Sequence, residues 1–236
     1  MAVADTTVVG SAHTAEFAAG ARAMLPWLAG VAPFGLVIGV SAAQANISTL
    51  VGWLTGPAIY AGSAQIATIE MLDAGAAPAV IVVTALVINL RLILYSAAMA
   101  LHWRTTPLWW RATAAYLLVD PSFVVGTDRY QRPAAGAGAH AYYLGAAAVL
   151  WVVWAVVIGA GATLGAQLPA ALHLEMVIPL YLTGEVVRKL GDRASRRAAM
   201  AAAGVAVVAF AVPMHLGVLV AIIAGLAFAL TVKEES

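Results

Sequence analysis

The feature that most constrains this chain is a series of apolar stretches, each long enough to cross a lipid bilayer. Ala141 to Ala166, for instance, runs without one charged side chain. A hydrocarbon core about 30 Å thick is spanned by about 20 apolar residues in a helix. Backbone polar groups in lipid have no water to bond, so they must pair within helices or within a closed barrel. No segment alternates with the period of a strand, which leaves helices. The segments are Met24 to Ala45, Ile47 to Ile69, Ala77 to Leu101, Ala112 to Thr127, Ala141 to Ala166, Ala171 to Val187, Ala198 to Val212 and Met214 to Val232. The expected fold is an all-α polytopic membrane protein of about eight transmembrane helices, or seven if one segment is re-entrant, with some helices broken at Gly or Pro. Composition agrees: 63% of the 236 residues are hydrophobic and 10% charged, against about 25% charged in a soluble domain.

Met1 to Gly20 is polar and small, without the basic start and compact apolar run of a signal peptide. Residues 1–22 therefore read as a loosely ordered tail, 23–232 as one transmembrane domain and 233–236 as a second tail. With no cysteine and a net charge of +1, thiolate chemistry, Cys-ligated metals and a nucleic-acid partner have no basis. The basic residues read instead as topology signals. With the N-terminus in the cytoplasm, inner loops hold Arg22, Arg129, Arg132, Arg188, Lys189, Arg193, Arg196, Arg197 and Lys233, while outer loops hold Arg104 and Arg111. This bias favours both termini inside. The loop His102 to Ala112 strains that reading, because it puts two arginines and three tryptophans on the outer side. The fourth segment is short and holds Asp120-Pro121, so it either spans or re-enters.

Polar residues inside these segments carry the chemistry. Arg91 stands in the middle of the third segment, where a charge costs about 2.5–3.5 kcal/mol on insertion scales and marks a pathway or a partner. It is a substrate-binding candidate, or one half of an ion pair with Asp120. Asn89 lies roughly 200° away around the same helix, so it bonds a neighbour unless the helix unwinds. Asp120 precedes Pro121, which disfavours helical geometry before it. Its carboxylate is a proton acceptor or cation ligand, an N-cap for a following half-helix, or the partner of Arg91. In the second segment Gly56, Pro57 and Gly62 suggest a discontinuous helix whose free amides meet an anion, with Ser63 and Gln65 beside them. Close helix packing is the alternative. Pro33 suggests a kink in the first segment. The spacings Gly35 to Gly39, Gly52 to Gly56 and Gly161 to Gly165 read as packing faces. Glu175 and Glu185 flank Pro179 near segment ends, and His102, His140, His173 and His215 lack metal-ligand spacing. No H-E-x-x-H, G-x-S-x-G or P-loop is present, so neither an enzyme nor an ATP-driven pump is expected and no cofactor or metal is implied.

Taken in order, Pro33-Phe34-Gly35, Ala61-Gly62-Ser63-Ala64-Gln65, Asn89-Leu90-Arg91 and Asp120 with Phe123 resemble the AzlC family of branched-chain amino acid exporters. The motifs run from Gly30 to Val125. The resemblance implies a bacterial cytoplasmic (inner) membrane, export of leucine, isoleucine, valine or related amino acids, and a small hydrophobic subunit of the AzlD type. Energy then comes from an ion gradient, a proton gradient being expected. Two positions depart from the family pattern: Pro121 where an acidic residue often follows the aspartate, and Leu92 where histidine often follows the arginine. On this resemblance Arg91 and the amides around Gly62 and Ser63 receive the substrate carboxylate, and Asp120 receives the ammonium or a coupling proton. Phe34 and Phe123 form the apolar wall, with Asn89 and Gln65 as further contacts, and Pro33, Pro57 and Pro121 mark helix breaks. A non-transporting amino-acid-binding subunit or sensor and a passive channel for small zwitterions are the alternatives.

Overall fold

The computed structural model describes residues 4–132, 138–165 and 193–209, with side chains from residue 13 to 165 and at some positions of 193–209, and the single positions 183, 187, 190 and 191. Among the described residues every regular element is a helix: α1 (Ala4–Gln44), α2 (Thr49–Ile59), α3 (Gly62–Asp73), α4 (Pro78–Trp103), α5 (Leu108–Tyr116), α6 (Asp120–Gln131), α7 (Gly138–Leu164) and α8 (Arg193–Ala209). Of these, α1 from His13, α4 and α7 are long and apolar enough to cross a membrane. Apart from the single positions 183 and 187, the expected segment Ala171 to Val187 lies outside the described residues, as do Met214 to Val232, the tail 233–236, Glu175, Glu185, His173 and His215. The helix overlapping the seventh segment begins earlier than hydropathy suggests, at Arg193.

The segment expected to be a loosely ordered tail is helical from Ala4 and continuous with the first span. Hydropathy falls there, but the turns are held by tertiary contacts. Gly20 meets the Tyr142 backbone, and Glu16 pairs with Arg129 at 2.8 Å. α1 and α7 pack side by side along their length in the same direction. Gly20 lies against Tyr142, Gly35 against Trp154 and Val157, and Gly39 against Ile158 and Gly161. A Cβ at Gly39 would stand 2.3 Å from the Ile158 carbonyl oxygen, so the small-residue spacings are packing faces as read. Gly52 and Gly56 likewise face α7, at Ala162 and Ile158.

α4 runs against α7. Its last residue, Trp103, has its ring 5.4 Å from that of Tyr143, so α4 ends where α7 begins. A helix of 26 residues is about 39 Å long, so Pro78 lies at the opposite end.

Between these long helices lie two hairpins of half-helices. Trp110 of α5 and Tyr130 of α6 both bring their rings to His140, at 4.9 and 5.6 Å. Closer to the turn, the Tyr143 hydroxyl donates to the Ala114 carbonyl at 2.7 Å, and the Tyr143 ring lies against Gly126. α5 therefore rises along α7 and α6 descends beside it, with the closed end at 117–119. The segment Ala112 to Thr127, left open between spanning and re-entering, is a hairpin.

α2 makes the converse entry. It descends α7 from Ala162 beside Gly52 to Ile158 beside Gly56, and Gly62 follows at Trp154. The chain then turns at Tyr60 and Ala61, and Gln65 Nε2 donates back across the turn to Thr55 Oγ1 at 2.6 Å. α3 must return to the end it came from, because only the link 74–77 separates it from Pro78. Ile47 to Ile69 is thus two half-helices rather than one span, which corrects the eight-span expectation for the described residues. Hydropathy could not separate the two cases, since two half-helices back to back carry as much apolar length as one span.

The prolines do not act alike. α1 passes through Pro26 and Pro33 without interruption, so Pro33 is not a helix break; neighbouring helices in an apolar setting tolerate the lost bond. Pro57 lies within α2 and precedes its end at Ile59. Pro121 sits in the first turn of α6, where its missing N–H costs nothing. One buried cluster, including Met24, Phe34, Ile38, Ile66, Ile69, Leu150 and Trp154, fills the space between α1, α3 and α7. A second, with Met99, Trp103, Trp110, Leu118 and Tyr143, joins the α5–α6 hairpin to α4 and α7.

Candidate functional site

The closed ends of the two hairpins meet beside the middle of α4. The Tyr116 hydroxyl at the end of α5 donates to the Pro57 carbonyl at 2.7 Å and accepts from Trp151 Nε1 at 2.8 Å. That carbonyl belongs to the last turn of α2, where helical partners run out. One hairpin thereby caps the other.

The two starts at this meeting point are built differently. α2 ends with Tyr60 in the left-handed region, at φ 43° and ψ 40°, a conformation that costs a non-glycine residue about 1–2 kcal/mol. Ala61 is extended and gives α3 no side-chain cap, and the first helical bond there runs from Gln65 N to the Ala61 carbonyl. The amides of Gly62, Ser63 and Ala64 therefore have no acceptor within the helix. At the start of α6 the N-cap is Val119, whose N–H donates to buried Ser122 Oγ at 2.9 Å. Asp120 occupies the first turn and brings negative charge to the positive end of the helix dipole. It is a helical residue and not the cap.

Arg91 joins the two starts. Its Nη1 donates to Asp120 Oδ2 at 2.5 Å and its Nη2 to Ser63 Oγ at 3.3 Å. Nε is buried without an acceptor, although the two side chains of the pair remain 32% and 33% exposed. Tyr95 donates to Asp120 Oδ1 at 2.7 Å and stacks on Phe123, with ring centroids 4.3 Å apart. Phe34 lies against Gly62, where a Cβ would come within 2.4 Å of its ring, and its own ring is 5.9 Å from that of Trp154. Each hairpin start thus carries an aromatic pair.

Of the residues singled out from sequence, Gly62, Ser63, Arg91, Asp120, Phe34 and Phe123 come together here. Gln65 is fully buried but turned to Thr55, with Oε1 unpartnered. Asn89 Oδ1 is buried without a partner and is not part of the Arg91 network. Tyr95, Trp154, Tyr116 and Ser122 escaped the sequence reading. A signal existed for Tyr95, which stands four residues after Arg91 and so shares its helix face. None existed for Tyr116 or Trp154, whose roles depend on which helices become neighbours.

A family model for the AzlC protein matches residues 26–168, which include every residue of this network. The chain belongs to the AzlC family. Membership makes it a membrane protein related to branched-chain amino acid transport, of a family generally associated with a membrane partner. No curated protein and no solved structure matches the chain. Within this AzlC protein the matched region covers the second half of α1, both hairpins, α4 and α7.

Proposed function

We propose that this AzlC protein exports branched-chain or related small hydrophobic amino acids across a bacterial cytoplasmic membrane, driven by an ion gradient and working with a small AzlD-type membrane subunit. The observation that carries the reading is the position of Arg91 between an uncapped helix start and a carboxylate, with one guanidinium N–H buried and lacking an acceptor. A zwitterion needs donors for its carboxylate and an acceptor for its ammonium. Arg91 and the amides of Gly62 and Ser63 supply the first, and Asp120 supplies the second. The pairs Phe34–Trp154 and Tyr95–Phe123 offer apolar surface to a branched side chain. Arg91 and Asp120 satisfy each other, so no isolated charge is left in the membrane. Substrate insertion replaces that pair with two charge-assisted contacts. On this reading Asp120 also carries the coupling proton, and Tyr95 holds its second oxygen.

The test is efflux of preloaded radiolabelled leucine from cells without their own exporters, expressing the chain with and without its small partner over a range of proton gradients. Gradient-dependent efflux above the control is the expected result. Equilibration without dependence on the gradient would make the protein a channel. Leucine binding without movement would make it a sensor or accessory subunit.

A further inference from the structure

Sequence threading with eight spans puts the link 74–77 in the cytoplasm and the link after α4 outside. The hairpins reverse both. α1 crosses, α2–α3 enters and returns on the far side, α4 crosses back, α5–α6 enters and returns on the near side, and α7 crosses again. Parallel packing of α1 with α7 and the meeting of Trp103, Trp110, Tyr130 and His140 at one end admit this path.

Charge then sorts cleanly. Arg22, Arg104, Arg111, Arg129 and Arg132 all fall toward the end where α1 and α7 begin. Among the described residues, the opposite links 45–48 and 74–77 hold no lysine or arginine. Basic residues flanking spans are retained in the cytoplasm. The two arginines that sat awkwardly outside in the eight-span threading come inside. Leu108 and Trp109, 73% and 69% exposed beside them, suit the membrane interface there.

We infer that the link 104–107 is cytoplasmic and the link 74–77 external, so that α5–α6 closes the cytoplasmic path to Arg91 and Asp120 while α2–α3 closes the external one. The cytoplasmic hairpin carries its own fastening. Arg129 near the open end of α6 donates from Nε and Nη2 to the two oxygens of Glu16 on α1, at 3.2 and 2.8 Å, with its guanidinium carbon 5.8 Å from the centre of the Tyr142 ring. No equivalent ion pair ties α2 or α3 among the described residues. Release of the Glu16–Arg129 pair frees α6 to move from α1 and opens the site to the cytoplasm. The gate rests on the transport reading; the course of the chain across the membrane does not.

The chain has no cysteine, so single cysteines report position directly. Ala74→Cys and Thr105→Cys, both at exposed positions, are labelled with a membrane-impermeant thiol reagent in intact cells and in inverted vesicles. Ala74→Cys reacting only from outside and Thr105→Cys only from inside is the expected result. The opposite pattern restores the single-span threading and overturns the inference. For the gate, Ser63→Cys is labelled from each face with and without Glu16→Gln, and again with Arg129→Gln. Loosening the pair raises the rate from the cytoplasmic face at least about fivefold, given the usual worth of a charge-assisted hydrogen bond, and leaves the external rate unchanged. A rise from both faces, or none from the cytoplasm, overturns the gate assignment. Neither measurement uses an amino acid substrate, so both stand apart from the efflux experiment.

Discussion

The two hairpins solve the same problem in opposite ways. Each must end a half-helix, turn in an apolar interior and start another. α5–α6 does this with dedicated chemistry: Ser122 Oγ accepts from Val119 N–H and donates to the Leu117 carbonyl at 2.8 Å, Pro121 presets the first turn, and Asp120 balances the dipole. α2–α3 does it with strain and vacancy. Tyr60 is held left-handed, its hydroxyl is buried without a partner, and α3 starts without a cap or an acid. The difference between the two starts is electrostatic. One start is negative and self-satisfied, the other is positive and unsatisfied, and Arg91 stands between them. Two matched ends would recognise two like groups; mismatched ends suit a zwitterion.

The largest effect is expected at Arg91. Arg91→Ala should lower efflux by about 100-fold or more, from the loss of charge-assisted contacts of about 1.5–3 kcal/mol each, with protein still present in the membrane. The exchanged pair Arg91→Asp with Asp120→Arg sharpens this, because it keeps an ion pair but gives each hairpin the wrong charge. Membrane levels should recover while efflux does not, and recovery of efflux would reduce the pair to a staple. Gly62→Ala comes next. Its Cβ would meet the Phe34 ring at 2.4 Å, and overpacking of this kind costs about 1–3 kcal/mol, so leucine binding should weaken roughly tenfold in an equilibrium assay.

Ser122→Ala attacks the other start and should act on stability. Losing a buried capping hydroxyl costs about 1–2 kcal/mol, visible as a lower melting temperature in detergent. An effect confined to leucine affinity would contradict the division of roles between the hairpins. Tyr95→Phe keeps the stack on Phe123 and removes only the bond to Asp120, so KM for leucine should rise about threefold to tenfold with stability nearly unchanged. Tyr116→Phe is expected to act least. It leaves the Pro57 carbonyl without its donor, a loss of about 1 kcal/mol, read as a small fall in melting temperature.

Much of the site was legible because membrane interiors make polar residues expensive. Arg91, Asp120 and Ser63 stand out against apolar neighbours without any structure, and the glycines and prolines around positions 56–62 and 121 announce breaks. Asn89 and Gln65 stood out for the same reason, yet tertiary packing turned Gln65 to Thr55 and left Asn89 outside the network. Pro33 looked like a break by composition, but the α7 face holds α1 together through it. Glu16 lay in a stretch whose low hydropathy hid its place on a continuous helix, because the partner that makes it structural, Arg129, is distant in sequence.

The amino-acid sequence by itself determined the solvent, the helical class, the family and most of the polar residues that meet at the centre. Those depend on composition, on length against bilayer thickness and on short motifs, which are properties of residues in order. Only the tertiary structure decided the direction of travel. A turn of two residues at Tyr60–Ala61, and the three-residue turn 117–119 between α5 and α6, reverse the chain in mid-membrane without changing its hydropathy. What separates a hairpin from a span is which helix each half lies against, and that is settled by contacts such as Trp110 and Tyr130 with the same His140, which exist only once the chain has folded.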